Sequence, residues 1–175
     1  MSIRYGGRKD AAVLSEMGAQ TFWETYNTSE RLEKKYIRAH IASTFDPERI
    51  RADLAEEKTI YLLAEASGEA VGYARLLLES SRPEIKAQKP LEISRIYLLK
   101  DFWGQGLGWS LLENCLAEAE KHLCDAIWLS VWQYNPRAIA FYEKYGFRKV
   151  GEHFFDLASS PQADFVMLKS LKVEK

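Results

Sequence analysis

The chain has 175 residues, 47% of them hydrophobic and 28% charged, with a net charge of −1. That length suits one domain, read as residues 1–175, with a full hydrophobic core, and the composition is ordinary for a globular protein. The balanced charge leaves no nucleic-acid footprint, no apolar stretch approaches membrane-spanning length, and Met1-Ser-Ile-Arg lacks the pattern of a secretory signal, so a cytoplasmic protein is expected.

Ile3-Arg-Tyr5 reads as a short first strand. Residues 8–26 place Val13, Leu14, Met17, Phe22 and Tyr26 at the spacing of one helix face. Asn27 followed by Glu30 resembles a capping box opening a second helix to about Ile41. Asp46-Pro47 caps another short helix. Thr59–Ala66 and Ala70–Glu79 read as strands of a hairpin turned at Ser67-Gly68. Ser80–Pro90 is polar, holds Pro83 and Pro90, and reads as a mobile loop.

The next stretch is the most informative. Leu91-Glu-Ile-Ser-Arg-Ile-Tyr-Leu98 is a strand; Trp103-Gly-Gln-Gly-Leu-Gly108 is a glycine-rich turn; Leu111, Leu112, Cys115, Leu116, Ala119 and Leu123 then form a helical stripe. A helix entered through glycines offers unpartnered N–H groups and a positive dipole end, an arrangement that cradles a pyrophosphate. Gly104, Gly106 and Gly108 let the backbone approach phosphate oxygens and take φ > 0 where needed. No Lys-Ser or Lys-Thr follows Gly108, which excludes a P-loop, and the glycine spacing is wrong for a dinucleotide fold. A plain strand-to-helix turn is the alternative.

Ile127-Trp-Leu-Ser-Val-Trp132 reads as a buried strand. Asn135 with Pro136 opens a helix that Gly146 closes. Phe147–Leu157 and Phe165–Leu171 are the expected last strands, linked by Ser159-Ser-Pro-Gln. If one helix carries both Cys115 and Cys124, they lie roughly 13 Å apart, beyond the disulfide limit of about 7 Å, so both are expected as free thiols. His40, His122 and His153 show no zinc spacing, and no metal is expected.

The Gly-x-Gly-x-Gly loop, the apolar strand after it and Asn135-Pro-Arg-Ala-Ile-Ala-Phe-Tyr-Glu-Lys-Tyr-Gly-Phe147 together resemble the GNAT superfamily of acetyl-CoA-dependent N-acetyltransferases. Within it, Leu91-Glu-Ile-x-Arg-Ile-Tyr97, Trp128–Trp132, Ala138-Ile-Ala-Phe-Tyr142 and Thr21-Phe-x-x-Thr-Tyr26 are similar to the bacterial PaiA-type polyamine acetyltransferases. The resemblance implies an α/β (α+β) fold, a mixed sheet of about seven strands flanked by helices. It implies that the two strands around the crossover helix splay and that the pantetheine arm of acetyl-CoA pairs with the free backbone of Ile96, Tyr97 and Leu98. The backbone of Gly104, Gln105, Gly106, Leu107, Gly108 and Trp109 would hold the pyrophosphate, and Asn135 would contact the pantetheine. One position departs: the family usually has Gln or Arg where this chain has Trp103. Dimers are common in the superfamily, so a homodimer is a candidate state.

Acetyl transfer needs a neutral amine to attack and a proton for the departing thiolate. Tyr142 is the candidate acid: it lies two helical turns past Asn135 on the same face, and the family carries its sulfur-contacting tyrosine at this Phe-Tyr position. Glu92 is the candidate base. Strict alternation puts Glu92, Ser94 and Ile96 on one face, with Leu91, Ile93 and Arg95 on the other. A structural pairing with Arg95 or another cation is Glu92's alternative, and His153 is the weaker base candidate. Lys144 is a candidate phosphate contact or an ordinary solvated lysine. Phe22, Trp23 and Tyr26 are candidate walls of the acceptor pocket, or packing. The acceptor is expected to be a small-molecule amine, with a polyamine favoured. A protein or peptide N-terminus, or a CoA sensor without turnover, are the rivals.

Overall fold

The computed structural model describes residues 2–171. The elements follow in the order β1 (Ser2–Tyr5), α1 (Ala11–Tyr26), α2 (Lys34–Thr44), α3 (Pro47–Asp53), β2 (Thr59–Ala66), β3 (Glu69–Leu78), β4 (Pro90–Leu98), α4 (Leu107–Lys121), β5 (Ala126–Trp132), α5 (Pro136–Lys144), β6 (Arg148–Leu157) and β7 (Ser160–Ser170), with single 3₁₀ turns before α1 and α4. The seven strands form one sheet in the order β1-β2-β3-β4-β5-β7-β6. β4 and β5 are its parallel pair, joined by α4 as crossover; the other neighbours are antiparallel. The expected mixed sheet of about seven strands with flanking helices is present.

Each face of the sheet packs its own core. Leu91, Ile93, Ile127 and Leu129 meet Leu111, Leu112 and Cys115 of α4, with Tyr142 and Phe147 beside them. On the other face, Tyr61, Leu63, Tyr73 and Trp132 meet Leu14, Phe22 and Tyr26 of α1, Ile37 of α2 and Ile50 of α3. Burying each large apolar side chain contributes roughly 1.5–3 kcal/mol. Trp128, Val166 and Leu168 continue that second face under Ile85, from the segment between β3 and β4.

Four expectations need correction. The capping box at Asn27 and Glu30 does not form, and α2 begins only at Lys34. Asn27 instead turns back on α1: its backbone N–H and its Nδ2 both donate to the Trp23 carbonyl, at 2.9 and 2.6 Å. A side chain closing the helix behind it cannot cap one ahead. β7 begins at Ser160, because Ala158 and Ser159 both take the left-handed conformation, at φ 49° and 74°, and close a two-residue turn. Pro161 is tolerated in the strand because β7 has only β6 beside it there; pairing to β5 starts at Asp164.

The segment 79–89, expected to be mobile, is a loop tied at both ends. Ile85 is buried, Trp128 Nε1 donates to the Ser80 carbonyl at 2.8 Å, and the Gln88 and Lys89 N–H groups donate to Asp125 at 2.8 and 2.9 Å. Cys124 lies beyond the end of α4 rather than on it, and both cysteines are buried and free.

Candidate active site

The parallel pair parts partway along. β4 and β5 are in register from Pro90–Ala126 to Ile93–Leu129 and no further. Burial follows the parting: Leu91 and Ile93 are fully or almost fully buried, whereas every residue from Ser94 to Leu98 keeps some solvent access. A β-bulge sits at the same point, because Arg95 pairs with Arg75 and Ile93 with Leu76, leaving Ser94 as the extra residue. Arg75 Nη1 donates to the Ser94 hydroxyl at 3.1 Å, and that hydroxyl donates to the Arg75 carbonyl at 3.2 Å.

The bulge overturns the strict alternation expected for β4. Ile96 and Leu98 share the α4 face with Leu91 and Ile93, so Glu92 shares the opposite face with Arg95 and Tyr97. Past Ser94 the backbone of Ile96 and Leu98 faces the gap without a β5 partner. Tyr97, expected to be free as well, bonds Tyr73 on β3, because antiparallel pairing turns alternate residues to opposite sides. At Leu98 the carbonyl already accepts from Trp103 Nε1 at 2.9 Å, which ties the strand end to the glycine loop.

Beside the gap, α4 starts at a bare N-terminus. Its cap is Gly106 in the left-handed conformation, with no side chain capping the helix and no acid in the first turn. Gly104 and Gly106 have φ of 77° and 81°, and a Cβ at either would meet open space. Gly108 needs no positive φ; it lies under Leu98 and Phe141, each 3.7 Å from an added Cβ. Gln105 spends its side-chain amide on the Asp101 carbonyl at 2.8 Å, and Leu107 is buried as an anchor. Trp109 stacks on Tyr145 with ring centres 4.1 Å apart, joining α4 to the end of α5. Arg137 of α5 lies over Trp103, a cation at the loop that reading the motif alone missed.

Asn135 lies in the turn after β5, its N–H donating to the Trp132 carbonyl at 2.9 Å, and caps α5, accepting from the Ala138 N–H at 3.1 Å. Tyr142 is buried two turns on, with Phe141 and Phe147 edge-on to its ring. Burial raises its phenol, and the nearby Tyr97 and Cys115 add to the rise. Lys144 is exposed at the far end of α5, its Nζ 5.4 Å from the Tyr145 ring centre. Glu92 lies in the still-paired part of β4, opposite Trp128, and accepts from the Ser80 hydroxyl. Thus Ile96, Leu98 and Tyr142 share the α4 face of the sheet, with the glycine loop and Asn135 at the starts of α4 and α5. Tyr97 lies on the opposite face, Glu92 before the parting and Lys144 at the exposed end of α5.

Across the sheet from α4, Tyr26 meets Trp132 edge-on at 5.5 Å, and Phe22 meets Tyr97 at 6.5 Å. Trp23 turns away, under Arg38 of α2. Burial, then Tyr97 and Asp164, raises the Tyr26 phenol. Asp164 was not singled out from the sequence, although it falls on the buried phase of β7 with Val166 and Leu168. Burial pushes its carboxyl up to about 7, with Arg82 opposing. A cleft of about 240 Å³ at the β1 edge, lined by Tyr5, Tyr61, Glu118 and His122, holds none of these residues. No helix among the described residues is long and apolar enough to cross a membrane.

A sheet that parts beside a bare helix N-terminus defines the acyl-CoA N-acyltransferase class of fold. The chain belongs to the acetyltransferase (GNAT) family of N-acetyltransferases, whose family model matches residues 19–147. An uncharacterized N-acetyltransferase of Lactobacillus delbrueckii subsp. lactis is 29% identical over 163 residues, 93% of each chain. The spermine/spermidine N(1)-acetyltransferase of Bacillus subtilis is 30% identical over 105 residues, 59% of this chain and 65% of that one. The PaiA N-acetyltransferase of Thermoplasma acidophilum, solved in complex with coenzyme A, superposes with a TM-score of 0.76 at 21% identity, covering 98% of this chain and 100% of that chain.

Proposed function

We propose that this protein, acting as a single domain, transfers the acetyl group of acetyl-CoA to a primary amine of a small molecule, with polyamines the favoured acceptors. The parting of β4 and β5 after Ile93 and Leu129, beside the uncapped start of α4, carries this reading. The acceptor class draws support from the Bacillus subtilis relative, whose name specifies spermine and spermidine.

The residues present fit coenzyme A. The N–H groups from Gly104 to Trp109 would hold the pyrophosphate, where the open space at Gly104 and Gly106 admits phosphate oxygens. Arg137 supplies a cation there and Lys144 a more distant one. Ile96 offers unpaired backbone to the pantetheine amides, with Leu98 having its N–H and one carbonyl lone pair left, whereas Tyr97 turns its N–H and carbonyl to Tyr73 on β3. Asn135 would contact the pantetheine from the start of α5.

The amine attacks the thioester carbonyl carbon, the C–N bond forms and the C–S bond breaks. Tyr142 donates to the departing sulfur. Its upward shift keeps the phenol protonated through the neutral range, the form that can donate. The proton that the nitrogen loses as the amide forms restores the phenol, so the residue ends as it began. Glu92 contributes a carboxylate on the acceptor face, which draws in an ammonium ion.

Free-thiol release from acetyl-CoA with a panel of amines tests the reading. Steady release with spermidine or spermine is expected. A protein that binds CoA yet releases no thiol with any amine would instead be a CoA sensor.

A further inference from the structure

We propose that Asp164 and His153 together hold the ammonium group of the acceptor, and that Asp164 takes its proton. The inference rests on the acetyl-transfer reading above and identifies the acceptor as an alkylamine that arrives as a cation.

Asp164 lies directly opposite His153 on β6 and Trp132 on β5. It is only 9% exposed, and its Oδ1 is sealed from solvent without a hydrogen-bond partner among the described residues. His153 Nδ1 is sealed and unpartnered in the same way, while its Nε2 meets the Ser130 hydroxyl at 2.8 Å. With Nε2–H donating to Ser130, Nδ1 is a bare acceptor. Two opposed side chains therefore each bury an acceptor that the protein leaves unused. Such groups cost stability unless a donor meets them, and one donor group placed between these two opposed side chains would satisfy both.

An alkylammonium group matches this pair: it brings three N–H donors and one positive charge. Tyr26 and Trp132, in edge-on contact beside Asp164, add aromatic surface that favours a cation and its alkyl chain. Ser130 and Trp132 are β5 residues past the parting of the sheet, so the pair stands one strand from the gap. The charged and titratable groups facing Asp164 are Tyr26 from α1, Tyr97 from β4, His153 from β6 and Arg82 from the segment between β3 and β4. Arg82 is the cation among them, its Nε 3.6 Å from Glu84, and Asp164 has no ion pair among the described residues.

The step balances. The Asp164 carboxylate takes one proton from the ammonium, and the freed lone pair forms the C–N bond as the C–S bond breaks. Asp164 then releases that proton to solvent through Oδ2, the oxygen that is not sealed. A carboxyl pushed up to about 7 exchanges a proton near neutral pH at little cost in either direction.

Asp164→Asn keeps the shape and removes the proton acceptor, and Asp164→Ala serves should that variant not fold. Calorimetry of the full chain loaded with CoA reads the contact directly, using 1,4-diaminobutane as the probe. The variant is expected to bind CoA like the parent, lose diamine affinity at least tenfold, and lose kcat/KM at least 100-fold together with the limb that rises through pH 7. His153→Phe is expected to weaken diamine binding by a smaller factor. Parental diamine affinity in Asp164→Asn, a surviving limb, or a parent that binds no alkylamine at millimolar concentration would overturn the proposal. A parent without turnover whose diamine affinity still depends on Asp164 would remove the acetyl-transfer reading and leave the ammonium contact standing.

Discussion

Arg137 lies over the indole of Trp103, its guanidinium carbon 4.0 Å from the ring centre. The pair joins the first turn of α5 to the glycine loop and brings a positive charge where the family usually places Gln or Arg. Trp103 is thus a platform for a cation rather than a loss of one. Its indole N–H also fixes the end of β4 through the Leu98 carbonyl. Arg137→Ala is expected to weaken CoA binding about fivefold, close to 1 kcal/mol. The loss should shrink at high salt, where charge–phosphate attraction is screened. Calorimetry at two salt concentrations reads both effects, and equal affinities would leave Arg137 as a packing residue.

Gly106 is tested by an added carboxylate. It caps α4 at φ 81° with open space where a side chain would go. Gly106→Asp introduces strain in the left-handed region and a negative charge against the phosphates. At least a tenfold loss of CoA affinity is expected, about 1.4 kcal/mol. Unchanged affinity in folded protein would remove the loop from the cofactor site.

The sequence exposed this loop, its helix and Asn135 because their signals are local: glycine spacing, a cap and a proline. The departures arise where chain neighbours do not decide. Alternation along β4 fails at Ser94 because the bulge is defined by its pairing with β3, which no single strand reveals. Asn27 is as good a cap as Asp46, and only its turn back to Trp23 separates them. Asp164 is one acid in an apolar strand; α1, β6 and the tied segment 79–89, all distant in sequence, create its environment.

Tyr142→Phe deletes one hydroxyl and keeps the ring among Phe141 and Phe147. The expected result is a fall in kcat of roughly 10²-fold with little change in acetyl-CoA affinity. Stopped assays across pH 6–9 check it, and parental kcat throughout would assign the tyrosine to packing.

Glu92 already accepts a hydrogen bond from Ser80, and it sits before the strands part. Glu92→Gln retains an acceptor oxygen for Ser80 and removes the charge. A rise in KM for a cationic amine and a loss in kcat/KM below tenfold are expected, with the acidic limb intact. Disappearance of that limb would make Glu92 the direct base.

Asp164 also links the acceptor site to stability. Its carboxyl is pushed up to about 7 in the folded protein, mainly by burial, against an ordinary value of 3.8. A raised folded value means that the group's contribution is fully present below the unfolded value and is lost as pH rises through the folded one. The window is therefore about pH 4 to 7, and at pH 8 the parent carries the cost of a buried charge. Asn cannot ionise, so Asp164→Asn should gain on the parent by about 3 kcal/mol between pH 5 and pH 8. Denaturant unfolding at pH 5, 6, 7 and 8 measures that difference, and its growth with pH matters rather than any constant offset. Parallel curves for the two proteins would mean that Asp164 ionises as freely in the fold as in the unfolded chain. A growing gap beside lost amine affinity would show a site that gives up stability for its ligand.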